Sequence, residues 1–107
     1  MTEIPELTGK LHPNSTNIVT SDPDDIDDFS GHGTAMAGII AANRDGDTNN
    51  SNFNMHGVAF EAQILSINAT TAADCPDIEN CSFYHPDIAK AYDYAIANNV
   101  DVINESL

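Results

Sequence analysis

His32 stands between Gly31 and Gly33, followed by Thr34 and a run of small residues, in the stretch GHGTAMAGIIAAN over 31–43. Imidazole is the side chain suited to taking up and returning protons near neutral pH. Flanking glycines let the backbone turn tightly and approach a neighbour. The pattern therefore predicts a turn that delivers one imidazole at the start of a buried helix over Thr34–Ala42. Ala37, Gly38, Ala41 and Ala42 would let that helix pack closely on a sheet. Glycine inside a helix costs about 1 kcal/mol relative to alanine, so Gly38 implies close approach of another backbone. The same residues also describe a buried helix that opens on a satisfied histidine, and this stretch alone does not separate the two.

The other chemistry-bearing groups are more ambiguous. Asp22, Asp24, Asp25, Asp27 and Asp28 lie in SDPDDIDDFS over 21–30. Clustered carboxylates in a flexible loop suit a hard cation such as Ca2+. The loop lacks the glycine and terminal glutamate of an EF-hand, and a solvated acidic loop explains it as well. Cys75 and Cys81 lie in a long connection, 69–85. They fit a loop-closing disulfide in an oxidising compartment, or two free thiols in a reducing one. No second Cys or His pair has zinc-site spacing, and no metal ligands are assigned. His12, His56 and His85 sit beside Pro13, Gly57 and Pro86 and read as solvent-facing loop residues.

The elements that would position these groups follow from periodicity and breakers. Asn17–Thr20 reads as a short strand. Arg44–Asn54 is a polar loop with an Asp45-Gly46 turn signal. Ile64, Leu65 and Ile67 form a short strand of the doubly buried kind. Pro86–Asn99 is a helix with Pro86 in its first turn, and Asp87 faces its positive end. Ile88, Ala91, Tyr92, Ala95 and Ile96 make its apolar face, and Asn98 and Asn99 suit a left-handed ending. Val100, Val102 and Ile103 then read as a second strand. Strand, helix, strand is a βαβ unit with parallel strands, so the fold class is α/β.

Composition narrows the partners. The 107 residues hold 17 acidic and 3 basic side chains, a formal charge of −14. Such a surface argues against nucleic acid and anionic membranes, where lysine and arginine supply affinity. No apolar run is long enough for a membrane span. The residues after Met1 carry no apolar core of a signal peptide.

Three segments in register go further: HGTAMAGIIAA from His32, GVAFEAQILSI from Gly57 and AYDYAIANNVDVINESL from Ala91. They resemble the HGTxVAG, GVAPxAxL and AIxxAxxxGxDVINMSLG segments of the subtilisin-like serine peptidases, the subtilases. Pro5-Glu6-Leu7 resembles that family's HPxL. The resemblance runs from Pro5 to Leu107. It implies an endopeptidase with an Asp-His-Ser triad, His32 being the general base. It implies that Glu105, Ser106 and Leu107 line the substrate cleft and pair with an extended peptide as an added strand.

Departures from the family pattern shape the expectation. The DTG or DSG aspartate motif and the GTSMA serine motif are both absent, as is the oxyanion-hole asparagine. Ser106 belongs to the SLG-like segment and is not the nucleophile. Asp27 and Asp28 lie near His32, but a solvated loop offers no buried, oriented triad carboxylate. Residues 1–107 therefore read as a fragment of one subtilase peptidase domain. The implied fold is a partial doubly wound parallel sheet, truncated at both ends and marginal or self-associating alone. The chain by itself is expected to be inactive, needing the remainder of the domain for a complete site. No cofactor is required, and Ca2+ is compatible with the acidic loop and common in the family. The implied substrate is a peptide or protein, and the implied location is secreted or cell-surface. The alternatives are a non-catalytic pseudo-peptidase and an α/β small-molecule-binding module. For the latter, GHGTAMAG would have to be a phosphate loop, but it follows an acidic loop rather than a strand.

Overall fold

The computed structural model describes residues 4–28, 30–44, 56–77 and 79–107. The expected polar loop over 44–54, with its Asp45-Gly46 turn, lies almost wholly outside the described residues. The elements are a 3-10 turn at Pro5–Leu7, strand β1 (Thr16–Asn17), helix α1 (His32–Ala41), strand β2 (Ile67–Asn68), a 3-10 turn at Ala72–Asp74 and helix α2 (His85–Ala97). Helices and a parallel two-stranded sheet make this a partial α/β arrangement.

Thr16 pairs with Ile67 and Asn17 with Asn68, both in parallel. The pairing extends beyond these residues. Ile64 donates to Lys10 O at 2.8 Å, and His12 donates to Ile64 O at 2.7 Å. A parallel bridge joins Leu11 and Ile64. The ladder is interrupted at a turn through Pro13, which has no N–H to give, and Ser15 N–H closes that turn on His12 O. The Ser15 hydroxyl then takes the Ser66 N–H at 3.0 Å, replacing a ladder bond with a side chain.

The strand expected over Asn17–Thr20 ends at its first residue. Asn17 is fully buried, and its Oδ1 accepts from Val19 N at 2.8 Å and Thr20 N at 3.1 Å. That Asx geometry turns the chain out of the sheet. The Asn17 amide nitrogen donates onward to Thr70 O at 2.8 Å and to Asp25 Oδ2 at 3.3 Å. One amide thus anchors both the β2–α2 connection and the acidic loop.

The helix begun at His32 ends at Ala41, and Ala37 and Ala41 form its buried stripe, one turn apart. Ala42 is buried as well. The close backbone approach expected at Gly38 is not there: a Cβ on Gly38 would meet nothing within 4 Å. It occurs instead at Gly57, where a Cβ would come within 2.6 Å of Ala41 Cα and Ala42 N. The cause is the helix end. The last carbonyls of a helix have no partner within it. Here Gly57, Val58 and Ala59 donate to Ala42 O, Ile39 O and Ile40 O at 3.0, 3.1 and 2.7 Å. Only a residue without a side chain lets that strand of chain come so near. Asn43 ties the same end to the first turn, through Glu6 O at 2.7 Å and Thr8 O at 2.9 Å. Buried Lys10 anchors the following turn by donating to Phe60 O and Ala62 O.

Helix α2 starts one residue before Pro86 and ends at Ala97, with Asn99 in the left-handed conformation at φ 56°. Of its expected apolar face, Ala95 is buried, Ile88 and Ala91 are half-buried, and Tyr92 and Ile96 are exposed. Tyr94 OH donates to Asn14 O at 2.7 Å and Asn14 Nδ2 to Asn98 Oδ1 at 2.8 Å, docking the helix on the Pro13 turn. The strand expected at Val100–Ile103 does not form. Residues 101–107 make no backbone–backbone hydrogen bond with another described residue, and Val102 is 83% exposed. A strand exists only as one side of a ladder, and no described segment supplies the other side. The connection before α2 is closed by a Cys75–Cys81 disulfide. Within it, Thr70 Oγ1 donates to Ser82 O at 2.9 Å and Ser82 N to Asp74 O at 2.8 Å. Among the described residues no helix is long and apolar enough to cross a membrane.

Candidate active site

The imidazole of His32 is carried by the first residue of α1 and is exposed. Gly31, just before it, takes φ 78°, a left-handed value that glycine adopts without penalty. This is the tight turn that the flanking glycines imply. The His32 N–H is taken by Ser30 Oγ at 3.1 Å. Its Nε2 lies 2.5 Å from Ser106 O. Two elements far apart in sequence, the α1 N-terminus and the segment after α2, therefore meet at the ring.

Glu105, Ser106 and Leu107, expected to line a substrate cleft, lie in the segment that meets the ring. The Ser106 carbonyl is engaged by His32, while its hydroxyl exchanges hydrogen bonds with the Asn104 side chain at 2.9 and 3.3 Å. That hydroxyl is directed to Asn104. Glu105 accepts from Tyr92 OH, which pins the segment to α2. Hydrogen bonding to Glu105 raises the Tyr92 phenol above its usual value, assisted by partial desolvation and the carboxylate's charge. Beside these residues runs an open groove of about 480 Å³, lined by Phe83, His85, Ile88, Tyr92, Glu105 and Leu107. Phe83 and helix α2 supply one wall, and Glu105 and Leu107 the other.

Asp28 also reaches this turn, though not the imidazole. Its Oδ1 accepts from Gly31 N at 3.0 Å and its Oδ2 from Thr34 N at 2.7 Å. Burial pushes the carboxyl up, but hydrogen bonds from the Thr34 side chain and from the backbone of Thr34, Gly31 and Ser30 outweigh it and hold Asp28 below the usual carboxylate range. Asp22 and Asp25 are likewise turned to the protein's own donors. Asp22 Oδ1 accepts from Asp24 N at 2.9 Å, and Asp25 Oδ2 from Thr20 Oγ1 at 3.0 Å. Among the described residues no group of three or more His, Cys, Asp or Glu side chains converges to hold a metal ion.

The remaining histidines lie away from His32 in local roles. His56 is exposed and meets Phe60 edge-on at 5.1 Å between ring centroids. His85 is exposed at the start of α2, on the groove. His12 departs from the solvent-facing reading: it is half-buried, and its Nδ1 accepts from Asn14 N at 3.0 Å.

Comparison with known proteins adds to this geometry. The family model described as "Subtilase family" matches residues 3–107. The chain is 38% identical over 84 residues to the major intracellular serine protease of Bacillus subtilis (strain 168), covering 78% of this chain and 23% of that protein. It is 34% identical over 80 residues to the minor extracellular protease Epr of the same organism, covering 75% of this chain and 10% of that protein. It is 43% identical over 63 residues to an extracellular serine protease of Serratia marcescens, covering 57% of this chain and 6% of that protein. The chain thus spans less than a quarter of the length of each of these relatives. No solved structure gives a significant match. With three motif segments in register and the family match running almost from end to end, the chain belongs to the subtilase family of serine peptidases.

Proposed function

We propose that residues 1–107 are the histidine-bearing part of a serine endopeptidase domain whose doubly wound sheet is completed by further sequence. The observation that carries this reading is the meeting of His32 Nε2 with Ser106 O. It joins the residue matching the family's catalytic histidine to the segment matching its substrate cleft.

In this reading the triad serine, supplied from outside the chain, attacks the scissile carbonyl carbon. His32 Nε2 takes the hydroxyl proton as the tetrahedral intermediate forms. It returns that proton to the amide nitrogen as the C–N bond breaks and the amine leaves. A water then attacks the acyl-enzyme with the same base, releasing the acid and restoring the serine. An aspartate, also from outside, orients the ring through Nδ1. The substrate peptide lies extended along Glu105–Leu107, with side chains reaching the groove beside α2. This reaction requires no cofactor. We place the enzyme outside the cell or at its surface. Two of the relatives above are named extracellular proteases and the third an intracellular one.

The test is labelling with a serine-directed fluorophosphonate. The 107-residue chain should take up none. The full-length product that contains it should label stoichiometrically, and His32→Ala in that product should lower kcat by about 10⁴-fold or more. Labelling of the isolated chain, or full activity of the alanine variant, would overturn the reading.

A further inference from the structure

We propose that Asp28 is a positioning residue for the peptidase reaction, its carboxylate clamping the glycine turn that aims His32; this builds on the reading of His32 as general base. Both neighbours of His32 are glycines, so the backbone that carries the ring has little intrinsic stiffness. Gly31 sits at φ 78° and, as the residue capping α1, has no side chain to take the orphan N–H groups of the first turn. Asp28, four residues before the ring, does this instead. One oxygen holds Gly31 N at 3.0 Å, immediately before His32, and the other holds Thr34 N at 2.7 Å, two residues after it. The carboxylate therefore brackets the ring from both sides, and it lies over the turn closely enough that a Cβ on Gly33 would meet Asp28 Oδ2 at 3.7 Å. A carboxylate accepting several N–H bonds at a helix N-terminus is the favourable charge state there. With both acceptors committed to the turn, Asp28 acts through the backbone and not on substrate.

The anchor has its own support. Asn17, fully buried, donates to Asp25 Oδ2, and Asn68 Nδ2 donates to Asp27 O at 3.3 Å. Both tie the segment leading to Asp28 onto the β1–β2 pair. The ring's direction is thus set by the sheet through a carboxylate, across a turn that glycine alone would leave loose.

Two measurements test this. In the full-length product, Asp28→Ala should speed hydrogen exchange of the Gly31 and Thr34 amides at least about 10-fold while leaving α2 amides such as Ala95 unchanged. In the full-length product, kcat normalised to fluorophosphonate-titrated sites should fall about 10- to 100-fold with KM within about 2-fold, as for a displaced reacting group. Asp28→Asn, which keeps one acceptor oxygen, should recover part of the loss. Loss of active sites without change in normalised kcat would mean a merely structural role and would overturn the proposal, as would unchanged exchange. If the full-length product has no histidine-dependent activity, the peptidase reading itself fails and this role falls with it. The exchange measurement then still shows whether the carboxylate holds the turn, so the two failures are distinguishable.

Discussion

His32 Nε2 lies 2.5 Å from the carbonyl oxygen of Ser106, 74 residues away in sequence. A carbonyl oxygen accepts and never donates, so the ring nitrogen facing it carries the proton. In the neutral ring Nδ1 is then bare. A general base in a Ser-His-Asp triad needs the reverse arrangement, with Nδ1–H held by a carboxylate and the Nε2 lone pair free. While this hydrogen bond holds, a neutral His32 is in the tautomer that cannot accept a serine proton, so proton transfer requires Nε2 to leave Ser106 O. Nitrogen-15 NMR of the 107-residue chain with the ring neutral should show Nε2 protonated. The completed domain should show Nδ1 protonated. Protonation at Nδ1 in the chain alone would contradict the hydrogen bond to Ser106.

The glycines of α1 and of the segment capping it make opposite predictions. Gly57→Ala forces a Cβ to within 2.6 Å of helix backbone, where nothing flexible can yield. It should destabilise by about 2–4 kcal/mol, in the range of overpacking with loss of backbone bonds. Gly38→Ala places its Cβ in open space inside a helix. It should be neutral or stabilising by up to about 1 kcal/mol. Denaturant or thermal melts of the two variants, in whichever context melts cooperatively, give the signs directly.

These two glycines also show what the sequence made legible. A glycine in a helical run says that something special happens nearby, but not where. Gly38 carried that signal, while the close approach belonged to Gly57, in a different segment pressed onto the helix end. Helix α1 and the position of His32 were readable because small residues and helical spacing are local features. Helix α2 was readable to within two residues at its C-terminus for the same reason. The strand expected over Val100–Ile103 was not, because a strand needs a partner and apolar alternation is silent on whether one is near. Asp28 was missed as a cap because a capping side chain usually sits next to the helix. A left-handed Gly31 lets it act from three residues further back.

Reducing the Cys75–Cys81 bridge should loosen the connection before α2 rather than the helices. The bridge spans a sequence separation of 6, and a loop that short is worth roughly 2 kcal/mol in the chain-entropy account. Thr70–Ser82, Ser82–Asp74 and Thr71–Asp74 hydrogen bonds remain to hold the loop ends. Treatment with a phosphine reductant should therefore lower the melting temperature by several degrees and raise amide exchange at 75–82, with α1 amides unaffected. Two free thiols in the untreated protein, counted by alkylation and mass spectrometry, would refute the bridge.

The Tyr92–Glu105 hydrogen bond gives a prediction at alkaline pH. The phenol is held above its usual value of about 10 because Glu105 accepts its proton and its negative charge opposes a second one. A group with a raised folded pKa contributes stability that is fully present below the unfolded value and is lost as pH rises through the folded one. The tie between α2 and residues 105–107 should therefore persist through neutral pH and release only above about 10, when phenolate faces carboxylate. Spectrophotometric titration of tyrosine should resolve this step by difference against Tyr92→Phe, and Glu105→Gln should move it down. In the full-length product, Tyr92→Phe should raise KM a few-fold with little change in kcat, since the freed segment is the one proposed to pair with substrate. A selective fall in kcat would instead show that Tyr92 acts on His32 through Ser106, and an unchanged KM would separate the 105–107 segment from peptide binding.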